Sequence, residues 1–190
     1  MEKRWGDGGG GGPPVEKVEE SGEKPANAGR VLRPDAFAAR LHRVSLDELR
    51  ARGFEGLIVD LDNTLVGYGQ EALASADLAW IASAKAAGFR LCLVSNNFSE
   101  RVAKIAAELD VPAIPSALKP LPYGFSEALR VLGTARARTV VIGDQLFTDV
   151  LGAKLCGLHA ILTEPLDRKE WPGTRLLRLL ERILCGRRAA

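Results

Sequence analysis

The sequence predicts an α/β protein whose core is a parallel, doubly wound sheet of five strands. Short apolar runs, bounded by glycine or polar residues, alternate with longer segments whose apolar residues recur at helical spacing. Because parallel strands need a crossover connection, which is usually a helix, this alternation favours a parallel sheet. A chain of 190 residues is long enough for one such domain with a sizeable core.

The first part of the chain is predicted to be a disordered tail over residues 1–29. It carries a glycine-rich run, a Pro-Pro pair and mixed charge, with almost no apolar residues. Order is expected to begin just after it, where Pro34 opens a short helix that carries Phe37 and Leu41. We therefore expect the folded domain to span residues 30–165.

A second short helix, over residues 46–52, is predicted by its end signals. Ser45 and Glu48, three residues apart, form a capping box, and Gly53 supplies the stop. This helix leads directly into the first strand of the sheet.

Five apolar runs are the predicted strands, because each is too short for a helix. In chain order they are residues 57–59, 89–94, about 113–114, 139–142 and 158–162. The predicted helices between them cover residues 71–87, residues 99–109, a segment around residues 125–132 and a segment that ends at Cys156. Right-handed crossovers then give the spatial strand order 3-2-1-4-5.

Polar residues come directly after several of these strands. Asp60 and Asp62 follow the first strand, Ser95 the second and Asp144 the fourth. In the order 3-2-1-4-5 the carboxyl ends of strands 2, 1 and 4 are neighbours, and ligands bind at that edge of an open α/β sheet. We therefore expect these four residues to share one crevice.

The residue types in this crevice suit phosphoryl transfer. Two carboxylates two residues apart, Asp60 and Asp62, fit nucleophilic attack by one and proton transfer by the other. Asp60 and Asp144 supply hard oxygen ligands for Mg²⁺. Ser95 offers a hydroxyl and N–H groups to phosphate oxygens, and Lys119 offsets the charge of the carboxylates.

Each of these residues also has a plainer interpretation in isolation. The string with Asp60 and Asp62 could be an Asx turn, and Ser95 could cap the next helix. Lys119 could be a solvated loop lysine, and Asp149, inside a helix, could carry only a surface charge. Their shared position after strands or in neighbouring loops, in the order that one active site requires, favours the functional interpretation.

Four strings in the sequence resemble the motifs of the haloacid dehalogenase-like phosphohydrolases: DLDNTLV, LVSNN, LKP and GDQLFTD. The resemblance covers residues 31–163 and implies the Rossmann-like fold and the phosphatase activity of that family. Pro34-Asp35 and the string GDQLFTDVLGA are similar to the capless subfamily (IIIA) of the YqeG type, itself similar to phosphatidylglycerophosphate phosphatases. Short connections after Thr64 and Ser95 leave no room for a lid domain.

Carried onto this sequence, the resemblance implies catalytic and phosphate-binding roles. Asp60 would be the nucleophile that forms an aspartyl-phosphate. Asp62 would be the general acid for the leaving group and then the base for water. Ser95 and Asn96 would bind the phosphate together with Lys119, which would also stabilise the nucleophile.

The resemblance also implies a Mg²⁺ site. Its ligands would be the carboxylates of Asp60 and Asp144 and the backbone carbonyl of Asp62. Thr64 would hold the loop after the first strand, and Asp149 would support the metal ligands without binding the ion directly.

The leading hypothesis is a Mg²⁺-dependent hydrolase of phosphomonoesters, with phosphatidylglycerophosphate as the substrate. Alternatives are a phosphatase for a small soluble metabolite or a phosphoprotein, a non-catalytic binding module, and a receiver-like domain phosphorylated on Asp60. Asp62 weakens the receiver hypothesis, because a domain that keeps its acyl-phosphate has no use for a hydrolytic base. Specificity is expected to depend on loops around Tyr68, Asn96 and Tyr123.

Charge and cysteine content limit the partners and the compartment. A net charge of +2 does not indicate a nucleic-acid binder. Cys92, Cys156 and Cys185 are widely spaced and form no CxxC pair, which favours a reduced, cytoplasmic protein. No apolar run approaches the ~20 residues of a transmembrane helix, while a peripheral contact with an anionic membrane stays open.

Residues 166–190 are predicted to form a basic amphipathic helix. The string RLLRLLERILCGRR, at residues 175–188, combines a broad apolar stripe with flanking arginines. One interpretation, favoured because a doubly wound sheet needs cover on both faces, is a final core helix. The other is an interfacial helix that docks on anionic lipid with Trp171 at the boundary.

Overall fold

The structure, a computed structural model, describes residues 32–67, 70–97 and 100–167. The predicted tail over residues 1–29 lies outside these ranges, as do Tyr68, Trp171 and residues 168–190 of the predicted C-terminal helix. The domain boundaries at both ends therefore stay predictions.

Strands and helices alternate along the described chain. The strands are β1 (Ala36–Ala38), β2 (Gly56–Asp60), β3 (Arg90–Val94), β4 (Ala113–Ile114), β5 (Thr139–Gly143) and β6 (His159–Thr163). The α-helices are α1 (Leu46–Ala51), α2 (Ser75–Ala86), α3 (Glu100–Leu109), α4 (Pro122–Leu132) and α5 (Leu151–Leu155). Two 3₁₀ turns lie at Leu41–Arg43 and Arg136–Arg138, and a π-helical turn at Leu146–Val150 directly precedes α5.

All strand pairs of the sheet are parallel, in the order β1-β6-β5-β2-β3-β4. The predicted fold class is confirmed, and the predicted order 3-2-1-4-5 is the order of β4, β3, β2, β5 and β6. The sheet has one strand more than predicted, because β1 is added at the edge beside β6.

The added strand shows that the helix predicted from Pro34 was wrong at its start. Ala36–Ala38 is extended and pairs with residues 161–163 of β6. The backbone N–H of Asp35 donates to the Ala160 carbonyl, and the Ala160 N–H donates to Asp35 Oδ2, both at 2.8 Å. Pairing with a distant strand therefore overrides the local helix signal, and Leu41 lies in a 3₁₀ turn.

Helices cover both faces of the sheet around its central strand, β2. On one face Val59 belongs to a core cluster with Trp80 of α2, and on the other Ile58 belongs to a cluster with Phe125 of α4. Every residue of β2 is buried, as is typical of an inner parallel strand. The core therefore fixes the position of Asp60, where β2 ends.

The connections at the carboxyl edge of the sheet are short. Residues 61–74 lead from β2 to α2, and residues 95–121 lead from β3 to α4 through α3 and β4. Neither connection holds an inserted domain in the residues that the structure describes. None of the helices in the described part of the chain has the length and apolar character needed to cross a bilayer.

Candidate active site

The carboxyl ends of β5, β2 and β3 lie side by side and bring together the polar residues predicted to share a crevice. Asp60 ends β2 and is paired in register with Val94, the last residue of β3. Ser95 follows β3, and Asp144 follows β5. All three polar side chains are buried, with Asp60 between the other two because β2 lies between β5 and β3.

Three carboxylates form a cluster at this edge. Asp60, Asp144 and Asp149 each offer an oxygen within 4.8 Å of the others. Asp60 Oδ2 is buried and has no hydrogen-bond partner among the described residues, while Thr64 Oγ1 donates to Asp144 Oδ1 at 3.2 Å. Because crowded buried carboxylates need a compensating cation, and because hard oxygens are the preferred ligands of Mg²⁺, this cluster fits that ion.

Asp149 lies closer to the site than its distance along the sequence indicates. The π-helical turn Leu146–Val150 carries its carboxylate back over the end of β5. A Cβ at Gly143 would clash with the Asp149 side chain, so this close approach requires glycine. The Gln145 N–H donates to Asp149 Oδ2 at 3.1 Å. That Asp149 supports the metal ligands without binding the ion stays a prediction.

Lys119 is a buried cation between two of these carboxylates. Its Nζ lies 2.5 Å from Asp60 Oδ1 and 2.6 Å from Asp149 Oδ1, and its side chain is 4% exposed. Asn96 fixes its backbone: Asn96 Nδ2 donates to the Lys119 carbonyl at 3.0 Å, and the Lys119 N–H donates to Asn96 Oδ1 at 2.6 Å. Both polar atoms of the Asn96 side chain thus contact the Lys119 backbone, and the predicted phosphate-binding role of Asn96 stays a prediction.

Burial and charge act in opposite directions on this pair. Burial raises the pKa of Asp60 well above its ordinary value, with Asp149 and Asp144 adding to the effect and Lys119 opposing it. Burial lowers the pKa of Lys119, but Asp149 and Asp60 outweigh it and raise the pKa above its ordinary value. These effects favour the charged form of Lys119, and further positive charge beside Asp60 would favour its ionised, nucleophilic form.

Asp62 is held from the connection between β3 and α3. Ser95 Oγ donates to Asp62 Oδ2 at 3.3 Å and accepts from the Asn97 N–H at 3.0 Å. Arg101 Nη2 forms an ion pair with Asp62 Oδ1, and its Nη1 donates to the Gln70 carbonyl at 2.6 Å. The Arg101 and Asp62 side chains are only 11% and 15% exposed, so solvent weakens this ion pair little.

Arg101 is a residue of the site that the sequence analysis missed. Its position near the start of α3 puts it at the same edge of the sheet as Ser95. The available signal is charge, because four aspartates and one lysine leave the predicted crevice strongly negative. This excess of negative charge favours a second basic side chain in a connection that leads away from β2 or β3.

Comparisons with known proteins identify relatives of this chain. Residues 46–157 match the family model of the haloacid dehalogenase-like hydrolases. The chain is 36% identical over 149 residues to "Probable phosphatase YqeG" of Bacillus subtilis, with 78% of this chain and 87% of that protein covered. It is 27% identical over 165 residues to "Phosphatidylglycerophosphate phosphatase 1, chloroplastic/mitochondrial" of Arabidopsis thaliana, with 81% of this chain covered but only 47% of that protein.

A solved structure has a similar fold. The crystal structure of a hypothetical protein from Xanthomonas campestris matches with a TM-score of 0.50 at 15% identity, covering 74% of this chain and 87% of that one. At this identity the likeness shows the fold alone. The family model and the Bacillus relative confirm the resemblance found in the sequence: the chain belongs to the haloacid dehalogenase-like hydrolases and is a phosphatase of that family.

Proposed function

We propose that the protein hydrolyses a phosphomonoester with Mg²⁺ as cofactor and Asp60 as the nucleophile. The observation that carries this proposal is the setting of the Asp60 carboxylate. Lys119 Nζ lies 2.5 Å from one oxygen, and the other oxygen is buried inside the carboxylate cluster with no hydrogen-bond partner in the described part of the chain. A buried polar atom left unpaired is costly, so its retention here indicates a ligand.

Asp60, Asp144 and the backbone carbonyl of Asp62 would hold Mg²⁺, with Thr64 and Asp149 in support. Mg²⁺ takes few protein carboxylates and keeps places for water and phosphate oxygens, which fits this donor set. When bound, the ion offsets the charge of the phosphate and favours the ionised form of Asp60.

The reaction would proceed in two displacements at phosphorus. A carboxylate oxygen of Asp60 attacks phosphorus and forms an acyl-phosphate bond while the bond from phosphorus to the leaving alcohol oxygen breaks, and Asp62 gives its proton to that oxygen. A water molecule then gives a proton to Asp62 and attacks phosphorus. The bond to Asp60 breaks, which releases inorganic phosphate and restores both carboxyl groups. Ser95 and Lys119 bind the phosphate oxygens throughout.

Phosphatidylglycerophosphate is the proposed substrate. The Arabidopsis relative carries this activity in its name, although the chain spans about half of its length. No inserted domain lies in the connections after β2 and β3, as far as residues 61–67, 70–97 and 100–121 describe them. An open site of this kind leaves room for a substrate whose bulk stays outside.

Hydrolysis of p-nitrophenyl phosphate, with Mg²⁺ and with a chelator, tests the proposed chemistry. A panel containing phosphatidylglycerophosphate in micelles, sugar phosphates and a phosphopeptide tests the substrate. We expect turnover that needs Mg²⁺, with the highest kcat/KM for the lipid. Turnover that the chelator leaves unchanged contradicts the metal assignment, and a higher kcat/KM for a soluble phosphate contradicts the lipid assignment.

Asp144→Ala is expected to weaken Mg²⁺ binding far more than Asp149→Ala. Both oxygens of Asp149 already accept hydrogen bonds, from Lys119 Nζ and from the Gln145 N–H. Asp149 would therefore position Lys119 and the end of β5 without binding the ion directly. Loss of such support typically costs about 10–100-fold in metal affinity, and loss of a direct ligand costs more. Titration of activity with Mg²⁺ measures the metal affinity of each variant. Equal losses of affinity in the two variants overturn the assignment.

Arg101→Ala is expected to lower kcat by about ten- to a hundredfold, because Asp62 loses the ion pair that orients it and proton transfer is worth about 10²–10⁴ in rate. Arg101→Lys keeps the charge without the planar fork and should recover part of kcat.

Lys104→Ala is the matched control, one turn along α3, where Lys104 pairs with Glu71 and its side chain is 66% exposed. It should change kcat by less than about twofold. Steady-state kinetics separate the cases: an unchanged kcat in Arg101→Ala, or an equal fall in Lys104→Ala, contradicts the role given to Arg101.

A further inference from the structure

We propose that the turn around Lys119 is a membrane contact, in which the exposed side chains of Leu118, Leu121 and Tyr123 enter the surface of an anionic lipid bilayer beside the active site. The proposal rests on the proposed function, because it explains how an open site meets a phosphate group carried by a lipid. It assigns that contact to three residues that take no part in the chemistry.

Leu118, Leu121 and Tyr123 are exposed apolar side chains in the segment that carries Lys119, and together they are named here the Leu118 patch. Their exposed fractions are 59%, 57% and 59%. The Leu121 N–H donates to the Leu118 carbonyl at 2.9 Å, which closes a turn over residues 118–121. Tyr123 follows in the first turn of α4, which begins at Pro122. Clustered apolar exposure of this kind is typical of a surface that contacts a partner or a membrane.

The patch is fixed relative to the reacting groups. Leu118 has a φ of 55°, which is unfavourable for leucine and persists only where the surroundings impose it. Asn96 pairs with both backbone groups of Lys119, and the Ala117 N–H donates to the Ser95 carbonyl at 2.9 Å. The residues that build the phosphate site therefore also hold the Leu118 patch outward beside it.

Charge selects anionic lipid as the partner. The last described residues run along the active-site edge: the Leu166 N–H donates to the Asn63 carbonyl at 2.9 Å, and Gln70 Nε2 donates to Asp167 Oδ2 at 3.0 Å. From there the sequence continues into residues 168–190, which contain seven basic and two acidic residues, although the whole chain has a net charge of only +2. This basic stretch follows directly in sequence on Asp167, and Asp167 contacts Gln70 in the connection after β2 at the active-site edge. Basic residues near an anionic surface strengthen apolar insertion.

The opposite edge of the sheet offers a matched control. Helix α4 runs from Tyr123 at the active-site edge to Val131 near the other edge, and α5 ends at Leu155 just before β6 begins. Val131 and Leu155 are 40% and 56% exposed. Exposed apolar residues of this scattered kind are ordinary and indicate no contact.

The test compares full-length Leu118→Asn/Leu121→Ser with the parent and with Val131→Ser/Leu155→Ser; asparagine is used at residue 118 because it tolerates the positive φ there. Cosedimentation is measured with vesicles of phosphatidylcholine and with vesicles that also contain phosphatidylglycerol. We expect the parent and the control variant to bind the anionic vesicles, and the patch variant to bind at least about tenfold more weakly, since two large apolar side chains no longer insert. Hydrolysis of phosphatidylglycerophosphate in vesicles should fall with binding, while p-nitrophenyl phosphate turnover stays that of the parent.

Three results overturn the membrane contact: a parent that does not bind anionic vesicles, a patch variant that binds as tightly as the parent, or equal binding to neutral and anionic vesicles. The proposed function fails separately, if the parent does not hydrolyse p-nitrophenyl phosphate with Mg²⁺. Vesicle binding is read without turnover, so the two failures are distinguishable.

Discussion

Replacing Asp60 by asparagine is expected to reduce phosphatase activity to the detection limit while the protein stays folded. The amide keeps the shape of the side chain but cannot form the bond to phosphorus. Stability should change little, because Lys119 keeps its ion pair with Asp149 at 2.6 Å while one of three crowded buried carboxylates is removed. Hydrolysis of p-nitrophenyl phosphate and thermal unfolding measure the two effects.

Ser83→Ala is a suitable control for Asp60→Asn, because Ser83 lies on the exposed side of α2 and donates only to the Ala79 carbonyl within the helix. Its activity should equal that of the parent. Activity of Asp60→Asn close to that of the parent would show that the nucleophile lies elsewhere.

Removing the positive charge of Lys119 is expected to have the largest effect on stability. In Lys119→Met, Asp60 and Asp149 lose a buried partner that lies 2.5 and 2.6 Å away. Breaking a buried ion pair from one side typically costs about 3–5 kcal/mol in the free energy of unfolding. Activity should fall as well, since the transferring phosphoryl group loses a cation. Urea unfolding in the absence of Mg²⁺ measures the first effect.

The double variant Lys119→Met/Asp149→Asn separates stability from catalysis. Removing one of the two stranded carboxylates should restore much of the lost stability, because the two sites are in direct contact and their effects are not additive. Activity should stay low, since the catalytic cation is still missing. Recovery of both properties together would mean that Lys119 serves the fold alone.

Those elements of the fold that are specified by local signals could be predicted from the sequence. Ser45 Oγ accepts from the Glu48 N–H at 3.2 Å and starts α1, as the capping box indicates, and Gly53 adopts a φ of 81° after its end. The buried strands were found because their apolar runs are short and bounded by polar residues. The parallel order then followed from the handedness of the crossovers.

The edge strand β1 could not be predicted because its pairing partner is distant. It has three residues, of which Phe37 is exposed, so it shows no buried strand pattern. Its extended form depends on β6 and on Asp35, whose carboxylate accepts from Ala160 and pairs with Lys154 at 2.5 Å. Partners separated by about 125 residues in the chain cannot be recognised from a short stretch of sequence.

The candidate site divides in the same way. Asp60, Ser95 and Asp144 follow strands, so topology alone brings them together. Arg101 and the placement of Asp149 depend on how α3 and the π-helical turn approach the sheet, which no spacing rule specifies. For Arg101, the available sequence signal is the negative charge of the predicted crevice, which a basic side chain offsets.

The central claim, that the phosphoryl group passes through Asp60, is tested most directly by trapping it. Asp62→Asn keeps the nucleophile but lacks the base, so hydrolysis of the intermediate should slow by about 10²–10⁴. p-Nitrophenol leaves with little help from an acid, so the first step still proceeds. The variant is mixed with p-nitrophenyl phosphate and Mg²⁺, quenched in acid and mapped by mass spectrometry. We predict a phosphoryl group on Asp60; a phosphoryl group on another residue, or none on a variant made from an active parent, would contradict the account.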